Sequence, residues 1–278
     1  MTLICCHLNA SVVQHTSHPD LVPIDKFLKK ESLHWFKFQR RPEVIYNSSM
    51  MMFTEAERIL ILAGAGMSAD SFNGSTFRNS AINTSNSLGG WRAPEEISYS
   101  NFPAAAWYYD ASIRRAAQSS EPHLGYDKLL RLCQTKGSNG FFIITSNIDG
   151  FFRKSLFPEN LIWETHGSVH FMQCARVPVS ERCPGIWPWD ESKGSIILHD
   201  ESCLAELESV PTCPNCHGAA RANISHFPDS SDEVAADTKQ TQHRNFERWF
   251  QRNKHRRVLI LEIGCGDSVH GLRCETSY

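Results

Sequence analysis

The chain has 278 residues, enough for one large domain or a large domain with a small satellite. Charged residues make up 21% and the formal net charge is −2, so no global field draws it to nucleic acid or to an anionic membrane. No apolar run approaches the length of about eighteen residues that a membrane span needs, so no membrane partner is expected. The opening MTLICCHLNASVVQH lacks the basic start of a secretory signal. Ten cysteines, two of them in a Cys-x-x-Cys pair, point to a metal site in a reducing compartment rather than to a disulfide framework. The expected location is intracellular, cytoplasmic or nuclear.

Residues 1–50 hold no motif and form an N-terminal extension of unknown role; within them Lys26 to Arg41 mixes charges with Phe27, Trp35, Phe36 and Phe38, as a helix or a docking arm would. Arg58 to Ala63 is a compact aliphatic run suited to a strand buried on both faces. It breaks into Gly64-Ala65-Gly66, then Ser68 and a polar stretch able to open a helix. Glycines there let the backbone turn sharply and approach a ligand, and their amides suit an anionic phosphate. A bare Gly-Ala-Gly lacks the third glycine of GxGxxG, so a purely structural turn is an equal reading of this stretch alone.

Asn79 to Gly90 reads as loop, and Trp91 to Gln118 as largely helical with Trp107, Tyr108 and Tyr109 packing. Pro122 to Lys136 is an amphipathic helix whose apolar face is Tyr126, Leu129, Leu130 and Cys133, with Gly137 as its C-terminal cap. Asn139-Gly140 turns into a second buried strand, Phe141 to Thr145, and the strand, helix, strand succession predicts a right-handed parallel crossover. Ser146, Asn147 and Asp149 then sit at the carboxyl end of that strand, where open α/β sheets place ligand chemistry. Read by themselves, Asn147 and Asp149 are equally well caps of a strand-to-helix turn.

Leu161 to Glu164 is a short strand candidate leading into Thr165-His166-Gly167-Ser168, with His170 four residues beyond His166. Cys174 and Cys183 precede Cys213-Pro214-Asn215-Cys216, an order that suits tetrahedral structural zinc, with Cys203 and His217 as substitute ligands for the first pair. Asp229 to Asp237 is an acidic loop, and Gln242 to Asn253 a helix with Phe246, Trp249 and Phe250 on one face. The cluster Arg252, Lys254, His255, Arg256 and Arg257 reads as the solvated end of that helix. Val258 to Ile263 is a third buried strand, ending in Gly264-Cys265-Gly266-Asp267-Ser268.

From about Ile59 to the C-terminus these segments resemble the sirtuin family of NAD-dependent protein deacylases. The resemblance rests on Gly64-Ala65-Gly66-Met67-Ser68 with Phe77-Arg78, on Pro122-His123, on Thr145-Ser146-Asn147-Ile148-Asp149, on His166-Gly167, on the four cysteines, on a loose match at Arg221 to Pro228, and on Gly266-Asp267-Ser268. The sequence departs from the family at Phe72-Asn73-Gly74 for Gly-Ile-Pro, at Ser146 for Gln, and at Asp267 for Thr.

The resemblance implies an α/β fold: a Rossmann-like parallel sheet from residues 51–160 and 238–278, interrupted by a small zinc-binding module at 161–237. It implies NAD-dependent removal of an acyl group from a lysine of a protein or peptide, releasing nicotinamide and O-acyl-ADP-ribose. Asn147 and Asp149 would hold the nicotinamide ribose, with Ser146 beside them, and His166 would act as the base. Gly64, Ala65, Gly66, Ser68, Phe77, Arg78, Gly264, Gly266, Asp267 and Ser268 would contact the rest of NAD. Zn2+ would sit on Cys174, Cys183, Cys213 and Cys216, remote from the chemistry. The same pocket with another acceptor would serve ADP-ribosyl transfer or NAD hydrolysis.

A sirtuin sheet continues beyond the Gly-x-Ser loop through another helix and strand, whereas only His270 to Tyr278 remains here. The expectation is a truncated chain whose Val258 to Ile263 strand lacks a neighbour and whose adenosine side lacks a wall. Weak NAD binding, aggregation or a binder without turnover would follow.

Overall fold

The computed structural model describes residues 3–8, 53–72, 99, 102–176, 179–190, 192, 194–225 and 236–265. Five strands form one parallel sheet: Leu3–Leu8 (β1), Arg58–Ala63 (β2), Phe141–Thr145 (β3), Ile162–Glu164 (β4) and Val258–Ile263 (β10). Their order is β1-β10-β2-β3-β4, and every neighbouring pair is parallel. All residues of β3 and β10 are buried, as is β2 after Arg58, which is why these strands are continuous runs of Val, Ile, Leu and Phe rather than alternating ones. The bare edge expected at Val258–Ile263 is not found. β1, from the segment that carries no motif, pairs along it from Leu3 with Val258 to Leu8 with Ile263.

Alternation along β3 sends successive phenylalanines to opposite faces. Phe142 meets Phe246 and Trp249, ring centroids 5.4 and 5.9 Å apart, on helix Ala236–Asn253. Phe141 meets Phe157 at 6.1 Å on the other side. Helix Pro103–Ser119 is α1, Leu124–Gln134 is α2, the single turn Phe151–Lys154 is α3, and Ala236–Asn253 is α4. α2 buries Tyr126, Leu129, Leu130 and Cys133, the face read from the sequence. α4 starts earlier than its apolar stripe does, taking in Ala236 and Asp237 from the stretch expected to be loop.

A second, smaller layer holds Gly167–Cys174 (β5), Trp187–Pro188 (β6), Leu198–His199 (β7), Leu204–Ala205 (β8) and Ala220–Ile224 (β9). β6-β5-β9 is an antiparallel sheet with an irregularity between Ser168 and Met172, and β7-β8 is a separate pair. This layer has its own core, in which Trp107, Ala111 and Ile113 of α1 pack on Val169, Met172, Trp189 and Ile224. Trp107 and Trp189 meet edge to face at 5.3 Å.

Where β2 and β10 leave the sheet, their backbones touch. Gly64 N–H donates to Ile263 O at 3.0 Å and Gly66 N–H to Gly264 O at 3.0 Å. A Cβ on Gly66 would stand 2.7 Å from Gly264 Cα, and one on Gly264, whose φ is +63°, would stand 2.0 Å from Met67 N. Gly264→Ala therefore combines a left-handed backbone with a backbone clash and should cost at least about 2–4 kcal/mol of stability, measured as a fall in the urea midpoint. A midpoint within error of the unmodified chain would show that the two exits separate freely.

Candidate functional site

Because the strands of the large sheet are parallel, their carboxyl ends lie along one edge, and the loops after β2, β3, β4 and β10 gather there. Ser146 N–H bonds Ala63 O at 3.1 Å, Thr145 Oγ1 bonds the same oxygen at 2.9 Å, and Thr165 N–H bonds Thr145 O at 2.8 Å. These bonds lock the loop after β3 between its neighbours. Asn147 N–H then caps onto Thr145 Oγ1 at 3.0 Å, and Phe151 N–H onto Asp149 Oδ1 at 2.9 Å, which starts α3. Of the two capping roles read from the sequence, that of Asp149 is found, whereas the Asn147 side chain turns to Ser68 and it is Thr145 that caps the Asn147 N–H.

The centre of the edge is a buried hydroxyl. Ser68 Oγ, in the 3-10 helix Ala65–Phe72, lies 2.6 Å from Asp149 Oδ2, 2.9 Å from Asn147 Nδ2 and 2.9 Å from Tyr126 OH. All four residues are buried. Burial raises the Asp149 carboxyl above its ordinary range, opposed by the bonds from Ser68 and Phe151. Burial, then the nearby Asp149, pushes the Tyr126 phenol well up. No described group takes the Asn147 carbonyl oxygen, so this buried acceptor is available to a ligand hydroxyl.

His166 follows β4, and its own carbonyl is held by Ser225 N–H at 3.0 Å, tying it to the end of β9. Its half-buried ring takes no hydrogen bond among the described residues. Burial first, then the Lys239 ammonium, lowers its pKa, so the imidazole is neutral near pH 7. His170 is different. Arg114 Nη1 faces its Nδ1 at 3.2 Å, and its Nε2 faces Asp149 O at 2.7 Å. A guanidinium only donates, so Nδ1 is the acceptor and Nε2 carries the proton. Both nitrogens are occupied, and burial lowers this pKa too. His170 is a strut, which leaves His166 as the imidazole of this pair with an available nitrogen.

At the far end of the small layer, the Sγ atoms of Cys174, Cys183, Cys213 and Cys216 all lie within 4.8 Å of one another. The pairing of Cys174 with Ala220 across β5 and β9 brings the first cysteine to the turn carrying the last two. That turn is closed by Cys213 N–H to Gly218 O and His217 N–H to Cys213 O, both 2.8 Å. Cys174 and Cys216 are 3.8 Å apart, the edge of a sulfur tetrahedron around a Zn–S bond of about 2.3 Å. The Gly218 amide draws the Cys216 thiol down to about 7, while its bond to Cys216 pushes Cys183 up to about 12. Neither substitute joins the group: Cys203 Sγ donates to Asp200 O at 3.1 Å, and His217 is exposed. Cys133, Cys174, Cys183, Cys203, Cys213, Cys216 and Cys265 are free thiols.

No protein-family model matches the chain. It is 29% identical over 194 residues to NAD-dependent protein deacylase 2 of Pseudomonas aeruginosa, covering 66% of this chain and 65% of that protein. It is 27% identical over 199 residues to the mitochondrial NAD-dependent protein deacylase sirtuin-5 of Danio rerio, covering 65% and 60%. The chain thus spans a little under two thirds of these relatives. Among solved structures, a Sir2 homologue in complex with NAD superposes with a TM-score of 0.55 at 17% identity, over 87% of this chain and 88% of that one. A mutant Sir2 homologue in complex with ADP-ribose gives 0.54 at 19% identity, over 78% and 74%. In sequence the chain resembles NAD-dependent protein deacylases of the sirtuin family, and its fold is that of the Sir2 homologues.

In this chain the described part of the expected site, Gly64, Ala65, Gly66, Ser68, Ser146, Asn147, Asp149, His166 and Gly264, comes from loops along the one edge. Phe77, Arg78, Gly266, Asp267 and Ser268 lie outside the described residues. The glycines answer to a different demand from the one read in the sequence: the Gly64 and Gly66 amides bond the β10 exit, and the close approach is to Gly264 rather than to a ligand. The exposed Ala65 amide is the one of the three with no such bond among the described residues.

Sequence reasoning took Tyr126 as packing only and had no place for Arg114. A tyrosine in the first turn of a buried helix face was the available signal, since its hydroxyl needs a partner. His123 extends the same attachment: its Nδ1 accepts from Gly125 N–H at 3.0 Å and its Nε2 lies 2.7 Å from Met67 O, joining α2 to the Ser68 turn.

Folding keeps His170 neutral, so as pH falls below about 6.5 the unfolded state gains a proton that the folded state resists, and stability is lost. His170→Ala should cost about 1–3 kcal/mol at pH 7.5 and clearly less at pH 5.5, read from urea midpoints. An equal cost at both pH values would contradict the neutral strut.

Proposed function

We propose that this chain is an NAD-dependent protein-lysine deacylase, acting on an acyl-lysine of a protein or peptide inside the cell and releasing nicotinamide and O-acyl-ADP-ribose. The observation that carries the reading is the buried Ser68, Asn147 and Asp149 cluster beside an imidazole with an available nitrogen, in a chain whose curated relatives are NAD-dependent protein deacylases. NAD, when bound, supplies an electrophilic ribose carbon and nicotinamide as its leaving group. Asn147, with its NH2 held by Ser68, presents a fixed carbonyl oxygen to a ribose hydroxyl. Asp149, fixed by Ser68 and Phe151, adds negative potential where positive charge develops as the leaving group departs. His166, neutral and half-buried, takes the proton from a ribose hydroxyl, which turns that oxygen into a nucleophile.

Nicotinamide release should require an acetyl-lysine peptide; release without it would mean NAD hydrolysis, and none at all would mean a binder. His166→Ala should lose about 10²- to 10⁴-fold in kcat/KM. Since the His166 pKa is lowered, kcat/KM should hold its plateau down past about pH 6.5 before falling. An acidic limb above that pH would remove His166 from the role.

We also infer that the four cysteines bind one Zn2+ as a structural centre of the small layer, which with α1 forms a unit distinct from the NAD-binding sheet. The mutual closeness of the four Sγ atoms, with one pair at 3.8 Å, supports this. Metal analysis should find about one zinc per chain, and Cys213→Ser should lower the melting temperature steeply, with chelation doing the same to the unmodified protein. Metal-free protein with unchanged melting would refute the assignment. No described helix is long and apolar enough to cross a membrane, and the free thiols suit a reducing compartment.

A further inference from the structure

Ser68 Oγ carries one proton and has three partners, so the direction of each bond can be worked out. Asn147 Nδ2 only donates, at 2.9 Å, and occupies one lone pair. Asp149 Oδ2, at 2.6 Å, is the closest partner, and a carboxylate only accepts, so the Ser68 proton goes there. The remaining partner, Tyr126 OH at 2.9 Å, must then donate into the second lone pair. The Asn147 side chain also bonds the phenol, from the donor side that favours the phenolate, so among the described residues that hydroxyl has no other acceptor. The reverse polarity, a protonated Asp149 donating to Ser68 and Ser68 to Tyr126, would leave a buried phenol proton with nowhere to go.

We propose that Tyr126 is a positioning residue: its phenol, by donating to Ser68, commits the Ser68 proton to Asp149 and so keeps that buried carboxyl an acceptor. This rests on the deacylase reading for its purpose but not for its chemistry. α2 supplies the phenol from outside the strand-end loops, and the ring is held there by Phe152 at 5.1 Å, Phe151 at 6.0 Å and His123 at 5.1 Å. The other titratable groups around Asp149 leave the task to Tyr126. From β4, Glu164 is buried and paired with Arg153 at 2.6 Å, and its charge works against ionisation of Asp149. From β5, His170 is neutral and bonds the Asp149 backbone oxygen rather than its carboxylate. Neither offers the carboxylate a cation or a proton. Desolvation alone would favour the protonated acid, which burial already pushes towards. A protonated Asp149 could no longer hold Ser68 or offset developing positive charge.

The test is a double-mutant cycle read against pH. Tyr126→Phe keeps the ring and removes only the hydroxyl. Urea midpoints should be measured from pH 5 to 8.5 for the unmodified chain, Tyr126→Phe, Asp149→Asn and the double variant. Losing the phenol's donation leaves the Ser68 proton no longer committed to the carboxylate, and should move the ionisation of Asp149 in the folded state up by about one pH unit. The sign follows: at low pH Asp149 is protonated in both proteins and the substitution costs little, and the cost grows as pH rises and the carboxylate forms. In the Asp149→Asn background the cost should be the same at every pH. Ser68→Ala, which removes the relay itself, should repeat the pH-dependent pattern. A Tyr126→Phe cost independent of pH in the unmodified background would overturn the proposal, whether or not the protein turns over NAD. Peptide-dependent nicotinamide release on the same samples tests the deacylase reading separately: a silent unmodified protein overturns that reading alone.

Discussion

Two strands leave the large sheet closer together than any side chain allows. At the exits of β2 and β10 the distance between backbones is set by hydrogen bonds from Gly64 and Gly66 to Ile263 and Gly264, and a single Cβ on either side would intrude. That contact aims the 3-10 helix that follows, and so fixes where Ser68 lies. From Ser68 the arrangement spreads to Asn147 and Asp149 on the next loop and to Tyr126 on α2. The edge of the sheet is therefore organised by backbone proximity first and by side-chain hydrogen bonds second. A conformational requirement that is usually ascribed to ligands is here met by the protein itself.

Each buried polar group in this region is tied to one from a distant part of the chain, and that governs what was readable in advance. The three long strands of the parallel sheet were legible to the residue, because burial on both faces leaves no alternative to a continuous apolar run. The α2 face was legible from its spacing, and the tetrad of cysteines from its order. β1 was not: Leu3–Leu8 begins a segment without periodicity, and what makes it a strand is the edge of β10, which is invisible in a linear reading. Tyr126 was legible as buried but not as bonded, since Ser68 and Asp149 reach it only through the fold. The distinction between His166 and His170 was likewise out of reach, because it depends on Arg114 arriving from α1.

The small layer shows a division of labour. Its core is built with α1 rather than with the large sheet, through Trp107, Trp189 and their neighbours. Yet two of its residues touch the site directly: His170 on β5 holds the Asp149 carbonyl, and Ser225 at the end of β9 holds the His166 carbonyl. The cysteine cluster pins the opposite ends of the same two strands. A disturbance at the cysteines thus has a mechanical route to both histidines along β5 and β9.

The pairing of Leu3–Leu8 with Val258–Ile263 bears on how the chain reaches its fold. Leu3–Leu8 must wait during synthesis for a partner far later in the chain, and bringing the two together closes a very long loop. Until then β10, apolar on both faces, presents an unpaired edge to whatever strand reaches it first, including the same strand of a neighbouring molecule. The speed at which nascent chains are kept apart, more than the strength of the finished sheet, then decides the yield of folded protein.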